Sequence, residues 1–239
     1  MVDYESAFKN REYGATAAAG TGIAGVFRQV YGWMAAGLGL SGLVAWQVAS
    51  SGALETLVKG PTLTLCAIAE IVLVIALSAG IRKLSPFAAL ALFFIYAALN
   101  GLTLSVIFLA CDLALIGRAF FVTAAMFAGL ALWGSVTKGD LSSIGAVCGM
   151  ALWGLIIASI VNIFLRSSGL DWAVSFAGVL IFSGLAMYDA QKIKQFAADS
   201  GLMDAGTRRK VALLGALSLY LDFINLFLSL LRLMNNHKD

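Results

Sequence analysis

The sequence predicts an all-α integral membrane protein, a bundle of seven transmembrane helices. Of its 239 residues, 61% are hydrophobic and only 12% are charged, against about 25% charged in an ordinary soluble domain. The mean hydropathy is +0.92. The apolar residues also fall in runs of about the 20 residues that a helix needs to cross a bilayer. Those runs lack the polar face that a soluble helix turns to water.

Residues 1–27 mix Asp3, Glu5, Lys9, Arg11 and Glu12 with Gly, Ala and Thr and carry no sustained apolar face. They are expected to form a mobile polar tail ahead of a membrane domain over 28–239. Gly20, Gly22 and Gly25 spell G-x-G-x-x-G, but no strand precedes them and no acid follows at the distance a dinucleotide fold requires. Spans are expected at about 29–49, 63–80, 87–111, 119–136, 144–165, 172–192 and 212–234. The third is long enough to tilt or to hold extra turns. Arg28 precedes the first run as in a secretory signal, yet the run is too long and the segment before it contains acids. Connections are short except for 195–210, which is polar and contains Gly201 and Gly206. A single compact bundle is therefore expected.

Lys9, Arg11, Arg28, Arg82, Lys83, Lys138, Lys192, Lys194, Arg208, Arg209 and Lys210 fall on one side of these spans. Lys59, Arg118, Arg166, Arg232 and Lys238 fall on the other. The positive-inside rule then places the amino terminus in the cytoplasm. The net charge of +3 is dispersed among the loops, without the concentrated patch that nucleic acid would require. Cys66, Cys111 and Cys148 show no metal-binding spacing and read as small buried hydrophobes. The single histidine, His237, lies among the last few residues, which excludes a buried Ser and His pair.

The last span carries the chemistry. Ser218, Asp222, Asn225, Ser229 and Arg232 recur at steps of four, three, four and three, so a helix gathers them on one narrow stripe. A carboxylate at bilayer depth costs several kcal/mol unless it faces protein or water, so the stripe should face a cavity or other helices. Glu70 in the second span and Asp189 near the cytoplasmic end of the sixth complete a set of three intramembrane acids. Tyr96, Asn100 and Thr103 in the third span, and Asn162 in the fifth, are expected to form interhelical hydrogen bonds, and Gly145 and Gly149 to let helices approach closely. If Asp189 and Asp222 meet, they cannot both ionise cheaply in a low dielectric, and they would share a proton and titrate as a unit. Arg82 could compete as a counter-ion, and an oxygen-only pair would suit a calcium ion.

GALSLYLDFINLFLSLLRL at 215–233 and GLAMYDAQKIK at 184–194 resemble the transmembrane Bax inhibitor motif, or Bax inhibitor-1, family, and its bacterial members most of all. So do VYGWMAAGLGLSGLVAW at 30–46, AEIVLVIALS at 69–78, YAALNGLTLSVIF at 96–108, TKGDLSSIG at 137–145 and IIASIVNIF at 156–164. The resemblance implies a seven-helix bundle whose C-terminal helix is central, with two three-helix groups around it. It also implies a pH-sensitive calcium leak in the bacterial inner membrane, with Asp189 and Asp222 as sensor and gate and Arg82 as the nearest equivalent of a latch. Glu70, Asn100, Ser218, Asn225 and Ser229 would support the polar pathway. No cofactor is expected beyond calcium, as a bound or permeant ion at Asp189 and Asp222, and the partners are the lipid bilayer and other membrane proteins.

Two other functions compete. A non-transporting regulator of cell survival or membrane-protein quality control, binding other membrane proteins, would fit the family's associations. An intramembrane aspartyl protease also needs two carboxylates on adjacent helices, but Asp222 lies in LYLD and not in G-x-G-D. No enzyme is therefore expected. A retinal photoreceptor fails for want of a lysine in the last span.

Overall fold

The computed structural model describes residues 4–81, 83–199 and 204–235, with side chains described from residue 24 onward. Among the described residues the chain forms nine helices: α1 (Tyr4–Ser50), α2 (Leu54–Lys59), α3 (Thr62–Gly80), α4 (Pro86–Leu104), α5 (Ile107–Ala110), α6 (Leu113–Val136), α7 (Ser142–Leu165), α8 (Ser168–Asp199) and α9 (Ala205–Asn235). Six segments are long and apolar enough to cross a membrane: α3, α4 with α5, α6, α7, α8 and α9. The protein is an all-α, multi-pass membrane bundle.

The expected first span, 29–49, is not among those six. Gly32, Gly37, Gly39, Gly42, Ser41 and Gln47 dilute its apolar character. The stretch is nonetheless central to the packing, with Val30, Met34, Ser41 and Ala45 buried and α1 lying along α4, α8 and α9. The boundary expected at 27/28 falls within α1, whose backbone is helical from Tyr4.

Two connections differ from expectation. The third expected span divides into α4 and the single turn α5, because the chain tightens at Ser105, whose N–H donates to both Gly101 O at 3.1 Å and Leu102 O at 3.3 Å. The stretch 195–210, expected as one long polar connection, is mostly helix. Polar residues do not by themselves end a helix, and here Ile193, Ala197 and Ala212 are buried and hold the extended turns together. Asp204 starts α9 by accepting the Gly206 and Thr207 N–H groups at 2.8 and 3.0 Å, the usual remedy for unpaired amides at a helix start.

Burial places α9 inside the bundle. Its apolar window is 61% buried, against 11% for α3 and 6% for α7. Helices α1, α4, α6 and α8 pack on it, whereas α3 leans mainly on α4, and α7 on α8. Small residues make these crossings close, as expected in lipid, where association depends on fit more than on expelling water. A methyl group at Gly134 would collide with the Met187 carbonyl, and one at Gly101 would lie 2.7 Å from Ser41 O. Of the G-x-x-x-G pair, only Gly145 makes such an approach, 2.6 Å from the Tyr188 ring, and Gly149 has open space. The other close contact on that face reverses the roles, with Cys148 Sγ packed against Gly184.

Candidate functional site

Helices α8 and α9 lie side by side and bring Asp189 and Asp222 within electrostatic reach of each other. Asp222, on the buried face of α9, is 5% exposed, and its Oδ2 has no hydrogen-bond partner among the described residues. Asp189, half-buried on α8, is hydrogen-bonded by the Ser218 hydroxyl and attracted by Lys192. The Lys192 ammonium itself lies over the Tyr188 ring, 5.7 Å from its centroid. Across the site, Cys148 of α7 is close enough to feel the charge of Asp222.

Both carboxyl groups face one cavity of about 800 Å³, which is also lined by Ser218, Asn225, Ser229 and Arg232. The whole stripe of α9 thus turns toward one space, over a rise of about 21 Å at 1.5 Å per residue. Helices α3 and α7 form the facing walls with apolar residues such as Ile71, Ile75, Leu155 and Ile160, broken by Glu70 and Ser159. The stripe's polar groups are not equally available. Asn225 Nδ2 donates to Leu221 O at 2.8 Å, and the Ser229 hydroxyl to Asn225 O at 2.8 Å. Asp222 and Arg232 remain as its charged members.

A second set of polar groups reaches this cavity from the side. Asn100 Nδ2 donates to Glu70 Oε2 at 3.3 Å, and the Thr103 hydroxyl to Glu70 Oε1 at 2.9 Å. The Tyr220 hydroxyl donates to Asn100 Oδ1 at 2.9 Å. It lies 2.7 Å from the Ser41 hydroxyl, which also reaches Ala97 O at 2.7 Å. Four helices, α1, α3, α4 and α9, are tied together through one chain of contacts. A smaller cavity of about 390 Å³ adjoins it, lined by Glu70, Tyr96, Asn100, Thr103, Asn225 and Arg232.

Helical spacing groups Tyr96 with Asn100 and Thr103, but the structure gives that polar role to Tyr220. Tyr96 offers its ring, edge-on to Tyr220 with centroids 5.8 Å apart. Ser41 and Tyr220 were not expected here. Ser41 lies in a glycine-rich run, and the available signal was that a buried tyrosine hydroxyl needs a partner. Among the described residues, Asn162 makes no hydrogen bond between helices. Its Oδ1 accepts the Ser167 N–H at 3.1 Å and closes the end of α7, where Arg166 takes a left-handed backbone with φ 50°. Gln191, buried beside Asp189, clamps the turn between α6 and α7 by accepting from Leu141 N at 2.9 Å and donating to Gly139 O at 2.7 Å. Arg82 lies outside the described residues.

Among the described residues, no group of three or more His, Cys, Asp or Glu could hold a metal ion. Asp189 and Asp222 supply carboxylate oxygens only, and calcium takes six to eight oxygen ligands.

Comparison with known proteins gives a consistent family. Residues 23–239 match the family model described as "Inhibitor of apoptosis-promoting Bax1". The chain is 47% identical over 219 residues to inner membrane protein YbhL of Escherichia coli strain K12, covering 91% of this chain and 94% of that protein. It is 39% identical over 214 residues to an uncharacterized protein of Borreliella burgdorferi, covering 88% and 91%. With an uncharacterized protein of Rickettsia prowazekii it shares 35% identity over 244 aligned residues, covering 100% of each.

Proposed function

The chain belongs to the Bax inhibitor-1 family, and from that premise we propose that it is a pH-sensitive leak for calcium or other cations, gated by protonation of Asp189 and Asp222. It is a multi-pass protein of the bacterial inner membrane, in a family of non-catalytic membrane proteins. In this reading, α1 is a seventh membrane helix. The first six spans surround α9 in two groups of three, and the amino terminus is cytoplasmic.

The observation that carries the reading is the placement of two acids from adjacent helices on one cavity, along the polar stripe of α9. Asp222 has an unpartnered buried oxygen there. A group so costly to bury is kept where its charge or its proton is used. Two close carboxylates hold a proton between them and titrate as a pair. Losing that proton doubles the negative charge between α8 and α9, which favours either a shift of the helices or entry of a cation. The surrounding groups that set this balance are Lys192 on α8, Cys148 on α7, and Glu70 and Tyr96 across the cavity. Glu70, Asn225 and Ser229 then carry the ion path toward Arg232.

The test is calcium flux into liposomes carrying the purified protein, followed across a pH series. Asp222→Asn and Asp189→Asn are each expected to change the flux and flatten its pH profile. If both variants keep the wild-type flux and profile, the gate does not lie in this pair. A complete absence of flux in the wild type, together with one stoichiometric membrane-protein partner, would favour the regulator reading.

A further inference from the structure

Helices α1 and α6 both pack on α8 and α9, with no substantial contact between the two. They leave a groove of about 450 Å³ that shares no lining residue with the acidic cavity. Met34, Phe127 and Ala131 form its buried floor, and Ala35, Ala128 and Leu132 its exposed rims. Helix α6 is a membrane span, so these rims meet hydrocarbon. Water gains little from such apolar walls, whereas an acyl chain loses no hydration against them.

One end of the groove is polar. The Tyr31 hydroxyl bonds to Ser135, which stands in the last turn of α6 and donates its own hydroxyl to Ala131 O at 2.7 Å. Arg28 precedes Tyr31 by three residues, on the helix face that carries Tyr31, Ala35 and Leu38 along the groove. Lys138 follows Ser135 by three residues, in the loop after α6. The neighbours of both cations are fixed to one turn of α8: Gly139 O accepts from Gln191 Nε2 at 2.7 Å, and Val30 and Ile193 both lie against Gly215. Trp133, 62% exposed in the same last turn of α6, marks this end as the membrane interface, where tryptophan concentrates. Arg28 and Lys138 are exposed and form no ion pair among the described residues. Asp140, the acid of that loop, accepts the Ser142 N–H at 2.9 Å. Beside Arg28, a further hollow of about 410 Å³ opens over Gly25 and Gly32.

We propose that this groove holds one acyl chain of an anionic phospholipid of the phosphatidylglycerol class, with its phosphate between Arg28 and Lys138. Charge complementarity selects the occupant, because two cations stand at the mouth of an apolar slot. The planar donors of Arg28 match phosphate oxygens, and Lys138 adds a point charge. A phosphoethanolamine headgroup brings its own ammonium to the same place and loses part of that attraction. The site stands whether or not the protein conducts cations.

Native mass spectrometry of the full-length protein in detergent tests it, with phosphatidylglycerol and phosphatidylethanolamine of identical chains as probes. One phosphatidylglycerol per chain should bind about tenfold more tightly than phosphatidylethanolamine. Arg28→Gln and Lys138→Gln should each weaken phosphatidylglycerol about fivefold, the contribution of one basic residue near an anionic headgroup, and the double variant should bind the two lipids alike. Ala128→Trp, which fills the groove from its exposed rim, should reduce binding of both lipids without lowering thermal unfolding. Glycerol phosphate, a headgroup fragment without chains, should not displace the lipid at equal concentration. Equal binding of the two lipids to the wild type overturns the proposal, as does an unchanged preference in the double variant or undiminished binding by Ala128→Trp. Displacement by glycerol phosphate would make the mouth a site for soluble anions, and a dimer that excludes lipid would make the groove a seat for a second copy; either result overturns it. Because Arg28 and Lys138 are exposed, their variants decide the matter even if Ala128→Trp packs poorly.

Discussion

Ser41 on α1 and Tyr220 on α9 stand 179 positions apart in the chain with their hydroxyl oxygens 2.7 Å apart. Both are fully buried, so neither hydroxyl can turn to water. The contact joins α1, which is not among the six candidate spans, to the most enclosed helix, and through Asn100 it reaches Glu70 at the cavity wall.

Tyr220→Phe keeps the ring packing and removes the hydroxyl, leaving Asn100 Oδ1 and Ser41 without that partner. A hydrogen bond within a membrane bundle contributes about 0.6 kcal/mol on average, but an acceptor stranded in a dry interior costs about 1–3 kcal/mol. A loss of about 1–2 kcal/mol is therefore expected in reversible unfolding. A double-mutant cycle with Ser41→Ala should show less than additive losses, because the two changes delete one shared contact. Full additivity would mean that the pair does not interact.

Glycine spacing separates two substitutions that look alike in sequence. Gly134→Ala drives a methyl group into the Met187 backbone, which cannot rotate away, so α6 and α8 must part. Such overpacking typically costs about 1–3 kcal/mol. Gly149→Ala enters open space and gains helix propensity of up to about 1 kcal/mol. Thermal unfolding in detergent should rank Gly149→Ala at or above the wild type and Gly134→Ala clearly below it.

The role of Asp222 can be told from its stability. If the carboxyl group were there to hold helices together, Asp222→Asn would weaken the fold. With Oδ2 unpartnered, the amide replaces a group that is expensive to bury, and thermal stability should be unchanged or higher while flux changes. A marked loss of stability would assign the side chain to architecture.

Outside the membrane, Asp204 gives a pH signature. The Thr207 hydroxyl and N–H hold its carboxylate below the usual range. A depressed folded-state value means that its stabilisation is present above the unfolded value of about 3.9 and is lost as pH falls through the folded one. At neutral pH, Asp204→Ala should therefore unfold at a lower temperature than the wild type, and the two curves should converge in strong acid. A constant difference at all pH values would show that the cap does not depend on charge.

The class of fold was legible in composition and run length, because a bilayer demands apolar runs of one length whatever the neighbours are. The stripe of α9 was legible for a similar reason: the period of a helix alone puts Ser218, Asp222, Asn225, Ser229 and Arg232 on one face, and all five line the cavity. Element ends were less so, since the polar turns at 195–199 and 205–210 stay helical through contacts made elsewhere.

What the sequence determined by itself was therefore what one helix or one bilayer can dictate: the membrane class, most of the spans, and the facing of the polar stripe of α9. Tertiary structure alone decided which helices enclose the stripe, and that Tyr220 and not Tyr96 completes the hydrogen-bonded chain to Glu70. These outcomes depend on residues far apart in the chain coming within 3 Å or so of one another. Such proximity follows from how small residues like Gly101 and Gly134 let particular helices close on each other, and no periodicity within a single helix encodes it.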